Sequence, residues 1–232
     1  MPLNGILSAM ATAAGLLLCT VTGSGAFEAG SFQDYGSHPS VFGSVALQSR
    51  LPDAIERLSK MDFSALPACG KDRECIRRAA VLDAATARAA EATDPFEALK
   101  LANRTVNHSI RYVPDEKSKY GVDEWASPVE TIAAGQGDCE DYAILKMGML
   151  LKAGVPAEAM AIAVVKLKDV DAYHAVLIVA GREADWVLDL DGDEIRSADA
   201  PSRYMPLYSL SASRSWLHGH KVTDRLATAA GS

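Results

Sequence analysis

A basic excess is missing from this 232-residue chain: 23 Lys and Arg stand against 30 Asp and Glu, for a formal net charge of -7. That balance argues against nucleic acid or an anionic membrane surface as the main partner. Low-complexity stretches are few and no unit repeats along the chain, which sets aside disordered and solenoid classes. After the first residues no apolar run is long enough to span a bilayer, so a mature chain is expected to carry no membrane span. Cysteine is scarce, at four residues. What is present is apolar material, 49% of the chain, enough for one core plus a targeting segment.

The targeting segment is at the start. Ile6 to Val21 is apolar, and Ser24-Gly25-Ala26 supplies the small residues a signal peptidase needs, so residues 1–26 read as a signal peptide cleaved after Ala26. Its first five residues, MPLNG, carry no Lys or Arg. An uncleaved anchor is the alternative, but the run falls short of the ~20 residues of a span. Export to the periplasm is the expectation. Of the cysteines, Cys19 falls in the leader. Cys69 and Cys75, in PACGKDRECI, are placed either to close a short disulfide loop in an oxidising compartment or to remain thiols. Cys139 has no evident partner, and an odd thiol in an exported chain should pair between chains or react.

Residues 27–51 lack a helical period and read as an extended arm. Ala54 to Lys60 reads as a short helix, and Asp72 to Ala90 as a longer one with Ile76, Ala80, Leu82 and Ala87 on its apolar side. Asp94-Pro95 opens another, with Phe96, Leu99, Ala102, Val106 and Ile110 at helical spacing. Extended chain follows to Val113, then a charged loop from Asp115 to Gly121. Ser127 and Glu130 form a capping box, and Gly135-Gln136-Gly137 ends that helix. Asp138 to Lys152 is apolar on nearly every side, with Lys146 and Lys152 its only basic residues, so it belongs inside the domain. The period then becomes two: Ala161–Leu167, Tyr173–Val179 and Trp186–Leu190 read as strands. Helices, a buried helix and then an antiparallel sheet make an α+β domain over residues 52–221, with a flexible tail at 222–232.

Cys139 stands at the first turn of the buried helix, after Gly-Gln-Gly-Asp. Unpaired N–H groups there favour a thiolate, and the glycines permit close approach by a substrate backbone. The N–H of Cys139 is a candidate oxyanion donor. Its neighbours Asp138, Glu140 and Asp141 do not suit a buried structural thiol. A thiolate needs a base. Of the five histidines, His174 begins a strand in DAYHAVLIV, where a side chain is fixed yet partly exposed. An acid must then set the imidazole tautomer. In a hairpin, Asp189 of ADWVLDL becomes a cross-strand neighbour of His174; Asp191, two residues on, is the alternative.

The segment GVDEWASPVETIAAGQGDCEDYAILKMGMLLKAGVP, followed by YHAVLIV and WVLDL, resembles the bacterial transglutaminase-like cysteine proteinases, whose LapG-type members are periplasmic proteases of biofilm adhesins. The resemblance covers roughly Phe96 to Leu190 and rests chiefly on GDCEDYA. It implies a papain-like or transglutaminase-like core and a catalytic triad of Cys139, His174 and Asp189 that forms an acyl-enzyme on a peptide carbonyl. It also implies Ca2+ dependence through Asp138, Glu140 and Asp141. Physical chemistry leans the same way, since three carboxylates beside a thiol raise its pKa and a bound cation offsets them. The plainer role of these acids is helix capping. Trp125 also fits the family pattern, as a groove wall or as core packing. The implied partners are an exported or surface protein as substrate and an inner-membrane regulatory receptor.

Other readings are acyl transfer to an amine (a crosslinking transglutaminase), a cell-wall amidase, and a non-catalytic periplasmic binding module. Two weaker signals stand aside: DLDGDE, Asp189 to Glu194, reads as a turn and not an EF-hand loop, and His218-Gly219-His220 as a solvated tail.

Overall fold

The computed structural model describes residues 27, 39–40, 66–114, 125–198, 200, 203–211 and 215–218. The leader, nearly all of the arm, the Ala54–Lys60 helix, the Asp115–Gly121 loop and the final tail lie outside the described residues.

The helical layer comprises α1 (Leu66–Cys69), α2 (Arg73–Ala90), α3 (Pro95–Ser109), α4 (Pro128–Ala134) and α5 (Cys139–Lys152). Asp72 caps α2 by accepting the N–H groups of Glu74 and Cys75, at 2.9 and 3.2 Å. Asp94 caps α3 with Pro95 in its first turn, and the Ser127–Glu130 capping box opens α4. The sheet side of the domain is antiparallel. Its strands are β1 (Pro39–Ser40), β4 (Met160–Leu167), β5 (Tyr173–Ala180), β6 (Asp185–Leu188), β7 (Arg196–Ser197), β8 (Tyr204–Leu210) and β9 (Ser215–His218), in the order β1-β9-β8-β4-β5-β6-β7. A separate parallel pair joins β2 (Arg111–Tyr112) to β3 (Gln136–Gly137). Two points of the N-terminal arm touch this frame: Phe27 bridges to Gly181, and Pro39–Ser40 pairs with β9.

Helix α5 lies between the other helices and the sheet, and every residue from Glu140 to Leu150 is buried. Its side chains share one core with Leu82 of α2, Leu99 and Val106 of α3, and Ala175, Leu177 and Val179 of β5. The alternate residues Val176, Ile178 and Ala180 join Ala161, Ala163 and Val165 of β4 in a second core on the other face. The period of two in these strands thus serves two buried faces.

The structure corrects the sequence reading at four places. The buried stripe of α2 is Cys75, Ala79, Leu82, Ala85, Thr86 and Ala89, with Ile76 39% exposed and Ala80 and Ala87 on the solvent side. The Cys69–Cys75 disulfide turns residue 75 inward, and the helical period carries the stripe on from there. Strand β6 ends at Leu188, so Asp189 lies past the ladder. Strands β8 and β9 were not foreseen, because Pro206 interrupts the strand signal; it is accommodated where the register shifts between Val164 and Val165. His218 is therefore buried in β9, with Nε2 2.7 Å from Ser209 Oγ, and is no part of a solvated tail.

The disulfide closes a loop of sequence separation 6 between α1 and α2. Replacing both cysteines with serine is expected to lower the unfolding free energy by about 2 kcal/mol, from the loop-closure entropy. The measurement is the urea midpoint, with the native chain under reductant as a parallel sample; an unchanged midpoint in both would show that the bond contributes nothing.

Candidate active site

The loop that delivers Cys139 is built from backbone constraints. Helix α4 stops at Gly135, whose φ of +65° is left-handed and whose missing Cβ leaves room for the Arg78 guanidinium. Arg78 uses that room to donate from Nε to the Ile132 carbonyl at 2.8 Å. The N–H groups of Arg111 and Val113 then donate to the carbonyls of Gly135 and Gly137, at 3.1 and 2.9 Å. A Cβ on Gly137 would meet Asp141 Oδ2 at 2.6 Å, so only glycine lets the chain pass this acid. Asp138 is the N-cap of α5, and Cys139 is its first residue.

His174 is the second residue of β5. Its Nε2 lies 2.7 Å from Asp189 Oδ1, and both side chains are 9% exposed. The expected partly exposed histidine is thus a buried one, while its neighbour Tyr173 is 72% exposed. The β5–β6 register, Leu177 with Leu188, would carry on to place Asp191 opposite His174. The chain instead leaves the ladder, and Asp189 turns to the imidazole. Asp191 serves elsewhere: its backbone N–H donates to Asp189 Oδ1 at 3.3 Å and its carboxylate accepts from Arg203 Nη1 at 3.1 Å. The second Asp189 oxygen accepts the hydroxyl of Tyr204, from β8, whose ring stacks on that of His174 at 6.4 Å.

The thiol meets this group through backbone. The backbone N–H of Ala175, the residue after His174, faces Cys139 Sγ and favours its thiolate. Sγ donates to Glu140 Oε2 at 3.2 Å, and no hydrogen bond joins it to the imidazole in this arrangement. Burial, then the charge and hydrogen bond of Glu140, then the charge of Asp138 push the thiol pKa up; the Ala175 N–H works the other way. Asp189 behaves oppositely. Burial pushes it up, but the hydrogen bond and charge of His174, the Tyr204 hydroxyl and the Asp191 N–H outweigh this and bring it to about 2. The site therefore sets a thiol that resists ionisation near an ionised acid, and among the described residues no hydrogen bond engages His174 Nδ1.

A sulfur at a helix start, beside a strand whose histidine is held by a buried acid, is the arrangement of a thiol hydrolase. The sequence profile of the bacterial transglutaminase-like cysteine proteinases matches residues 67–223. The chain belongs to that family. It is a cysteine peptidase of transglutaminase-like fold. The solved structures it is similar to include calcium-bound LapG of Legionella pneumophila, at 28% identity over 71% of this chain and 90% of LapG, with a TM-score of 0.54. A second LapG structure from that organism matches at 25% identity, 72% and 87% coverage and a TM-score of 0.52. An EGTA-treated form, at 24% identity and a TM-score of 0.53 over 73% and 86%, agrees in fold. A search of curated proteins by sequence found no match.

Donor chemistry around the peptidase's thiol suits a hard cation. Ligand atoms of Asp138, Cys139 and Glu140 lie within 4.8 Å of one another, and both acids are buried. Asp141 stands apart from that group: Oδ1 accepts the Ala126 N–H at 2.8 Å and Oδ2 the Asp138 N–H at 3.3 Å. Trp125 packs against the helical core. Reading the sequence missed Tyr204, since nothing in YMPLYSL distinguishes it from core packing. It also missed Asn107, whose Nδ2 donates to the Asp189 carbonyl at 3.0 Å.

The depressed Asp189 pKa carries a sign. A carboxylate held below its unfolded value stabilises the fold fully above about pH 4 and loses that contribution as pH falls toward about 2. Tyr204→Phe removes one donor and raises the folded pKa, so the acid limb of a urea-stability profile is expected to be smaller and to level off at higher pH, with a loss of about 1–2 kcal/mol at pH 7. Asp189→Asn should flatten that limb. Profiles that overlay the native one for both variants would reject the hydrogen-bond scheme.

Proposed function

We propose that the peptidase uses Cys139 as nucleophile, His174 as general base and acid, and Asp189 as orienting acid, to cleave an exported or surface protein. What supports the reading is the 2.7 Å His174–Asp189 contact on the strand whose next N–H meets the Cys139 sulfur. With Nε2 committed to Asp189, Nδ1 takes the thiol proton once Sγ turns from Glu140. The sulfur attacks the peptide carbonyl, and the Cys139 N–H, at the helix start, receives the developing oxyanion. His174 returns the proton to the departing amine, leaving a thioester. Water, deprotonated by the same ring, attacks the thioester and releases the acid and the free thiol. Tyr204 and the Asp191 N–H keep the acid fixed through both halves.

Asp138 and Glu140 are the residues we assign to calcium, with Asp141 shaping the loop beneath them. A calcium ion held by Asp138 and Glu140 would supply positive charge against the two acids and would loosen the hold of Glu140 on the thiol. Support comes from the like-charged donor set around Sγ and from the calcium-bound state of the similar LapG structure. Adhesin-like substrates are proposed on the same likeness. The apolar leader and the Cys69–Cys75 disulfide favour an oxidising, periplasmic setting. Among the described residues no helix is long and apolar enough to cross a membrane.

Comparing the exported proteome of cells carrying the native chain and Cys139→Ala is the direct test. New protein termini in the native sample alone are expected, and mass spectrometry showing amine-linked conjugates in their place would mean acyl transfer. For calcium, excess chelator should lower both cleavage and the melting temperature of the purified protein, and Glu140→Gln should blunt the second effect. Activity and melting indifferent to chelator would dismiss the ion.

A further inference from the structure

The loop after β6 carries the acid of the site, and the sheet does not hold it. The ladder ends at Leu188 and resumes at Arg196 in β7. Among the described residues, no backbone–backbone hydrogen bond ties one residue of 189–195 to another. The carbonyls of this loop must find donors elsewhere. Those donors come from helix α3. Asn107 Nδ2 donates to the carbonyls of Asp189 and Gly192, at 3.0 and 2.9 Å, and Asn103 Nδ2 donates to the Gly192 carbonyl at 2.9 Å. The two asparagines are four residues apart and so share one face of the helix.

Their amide orientation is forced. A carbonyl only accepts, so each nitrogen must face the loop and each oxygen must face away. Both Oδ1 atoms are buried, and no described residue donates to them. A buried acceptor in that condition costs stability, and a leucine of similar shape would avoid the cost. Helix α3 nonetheless has asparagine at both positions, beside a buried stripe of Leu99, Ala102 and Val106. Surface pairs do not substitute for these amides. Asp193 reaches His108 at 2.9 Å and Arg104 at 3.8 Å, but those two side chains are 64% and 74% exposed, where ion pairs contribute little.

The amides grip the two ends of one turn. Holding the Asp189 carbonyl sets the peptide plane from which its side chain departs, and holding Gly192 sets the far end. Between them lies Asp191, whose N–H donates to Asp189 Oδ1 at 3.3 Å, the oxygen that lies 2.7 Å from His174 Nε2. We propose that Asn107 is a positioning residue, with Asn103 as its support: their amides hold residues 189–192 in the turn that aims the Asp189 carboxylate at His174. Neither side chain touches substrate. They act on the backbone of the acid, as Tyr204 acts on its carboxylate from β8.

The inference rests on the reading of Asp189 as orienting acid, and the test separates the two. The probe is the proton of the His174 Nε2–H···Asp189 bond, observed far downfield by NMR in protein carrying nitrogen-labelled histidine. The chain has five histidines, and this proton is assigned by its loss in His174→Gln. Its exchange with water reports how often the bond opens. Asn107→Leu keeps the side-chain shape and removes the donor, and exchange is expected to quicken roughly tenfold, as for the loss of one hydrogen bond. Asn103→Leu, which loosens Gly192 alone, should quicken it less. Asn107→Asp, alike in shape and without the donor, is the second variant should leucine fail to fold. An exchange rate unmoved in the folded Asn107 variant overturns the proposal. So does an effect of Asn103→Leu as large as that of Asn107→Leu, which would place the cause in general packing. Failure of both Asn107 variants to fold overturns it too, by making the residue a requirement of the core. If the downfield proton is unshifted in Asp189→Asn, the orienting-acid reading falls instead.

Discussion

Burial of helix α5 along β5 is the constraint that sets where the thiol stands. Leu145, Met147, Met149 and Leu150 are fully buried, and each such side chain is worth about 1.5–3 kcal/mol of transfer from water. Rotating the helix by one residue, about 100°, would withdraw several of them at once. The helix is therefore locked in rotation, and so is the direction of its first residue. At the same end the parallel β2–β3 pair and the left-handed Gly135 fix the loop before it. Cys139 inherits its place from packing and backbone pairing on both sides. Its Sγ is thereby set against β5, where the Ala175 N–H favours the thiolate.

Charge is distributed unevenly around this fixed point. Asp138, Glu140 and Asp141 crowd the helix start, where the aligned peptide dipoles favour them, yet the same acids disfavour a thiolate. Asp141 has a separate duty, since its two oxygens tie Ala126 and Asp138 to one another. Behind the histidine the balance is reversed. One acid is buried there, and donors from β8, from its own loop and from β5 all converge on it. The consequence is an acid that stays ionised in a dry site, next to a sulfur that does not ionise readily.

Helices α2 to α5, the buried character of α5 and the three central strands were legible in the sequence because each follows from hydrophobic period and capping. GDCEDYA pointed to the thiol because three acids around a cysteine do not suit a core site. His174 and Asp189 were legible as a pair for a partly different reason from the one that holds. Sequence spacing suggested cross-strand neighbours, whereas the acid reaches the ring after leaving the ladder. Tyr204 was invisible because its partner lies fifteen residues upstream on the loop after β6, and Pro206 masks the strand that carries it. The inward face of α2 does not follow from apolar content alone, because the disulfide fixes residue 75.

A proteinase of this kind needs a rigid acid and an adjustable thiol, and the structure divides these roles between its two halves. His174, Asp189 and Tyr204 are all buried, and both oxygens of the acid are engaged, so that unit can move only by breaking several hydrogen bonds at once. Cys139 is only partly buried, and its side chain is held by one contact to Glu140 and one to a backbone N–H. A rotation about a single side-chain bond changes the first of these. The lower barrier thus lies on the sulfur side, and whatever engages Glu140 sets how much of the protein has its thiol free to face the imidazole. Under the proposed roles, the acids next to the cysteine set the position of the thiol, while the His174–Asp189 pairing stays constant.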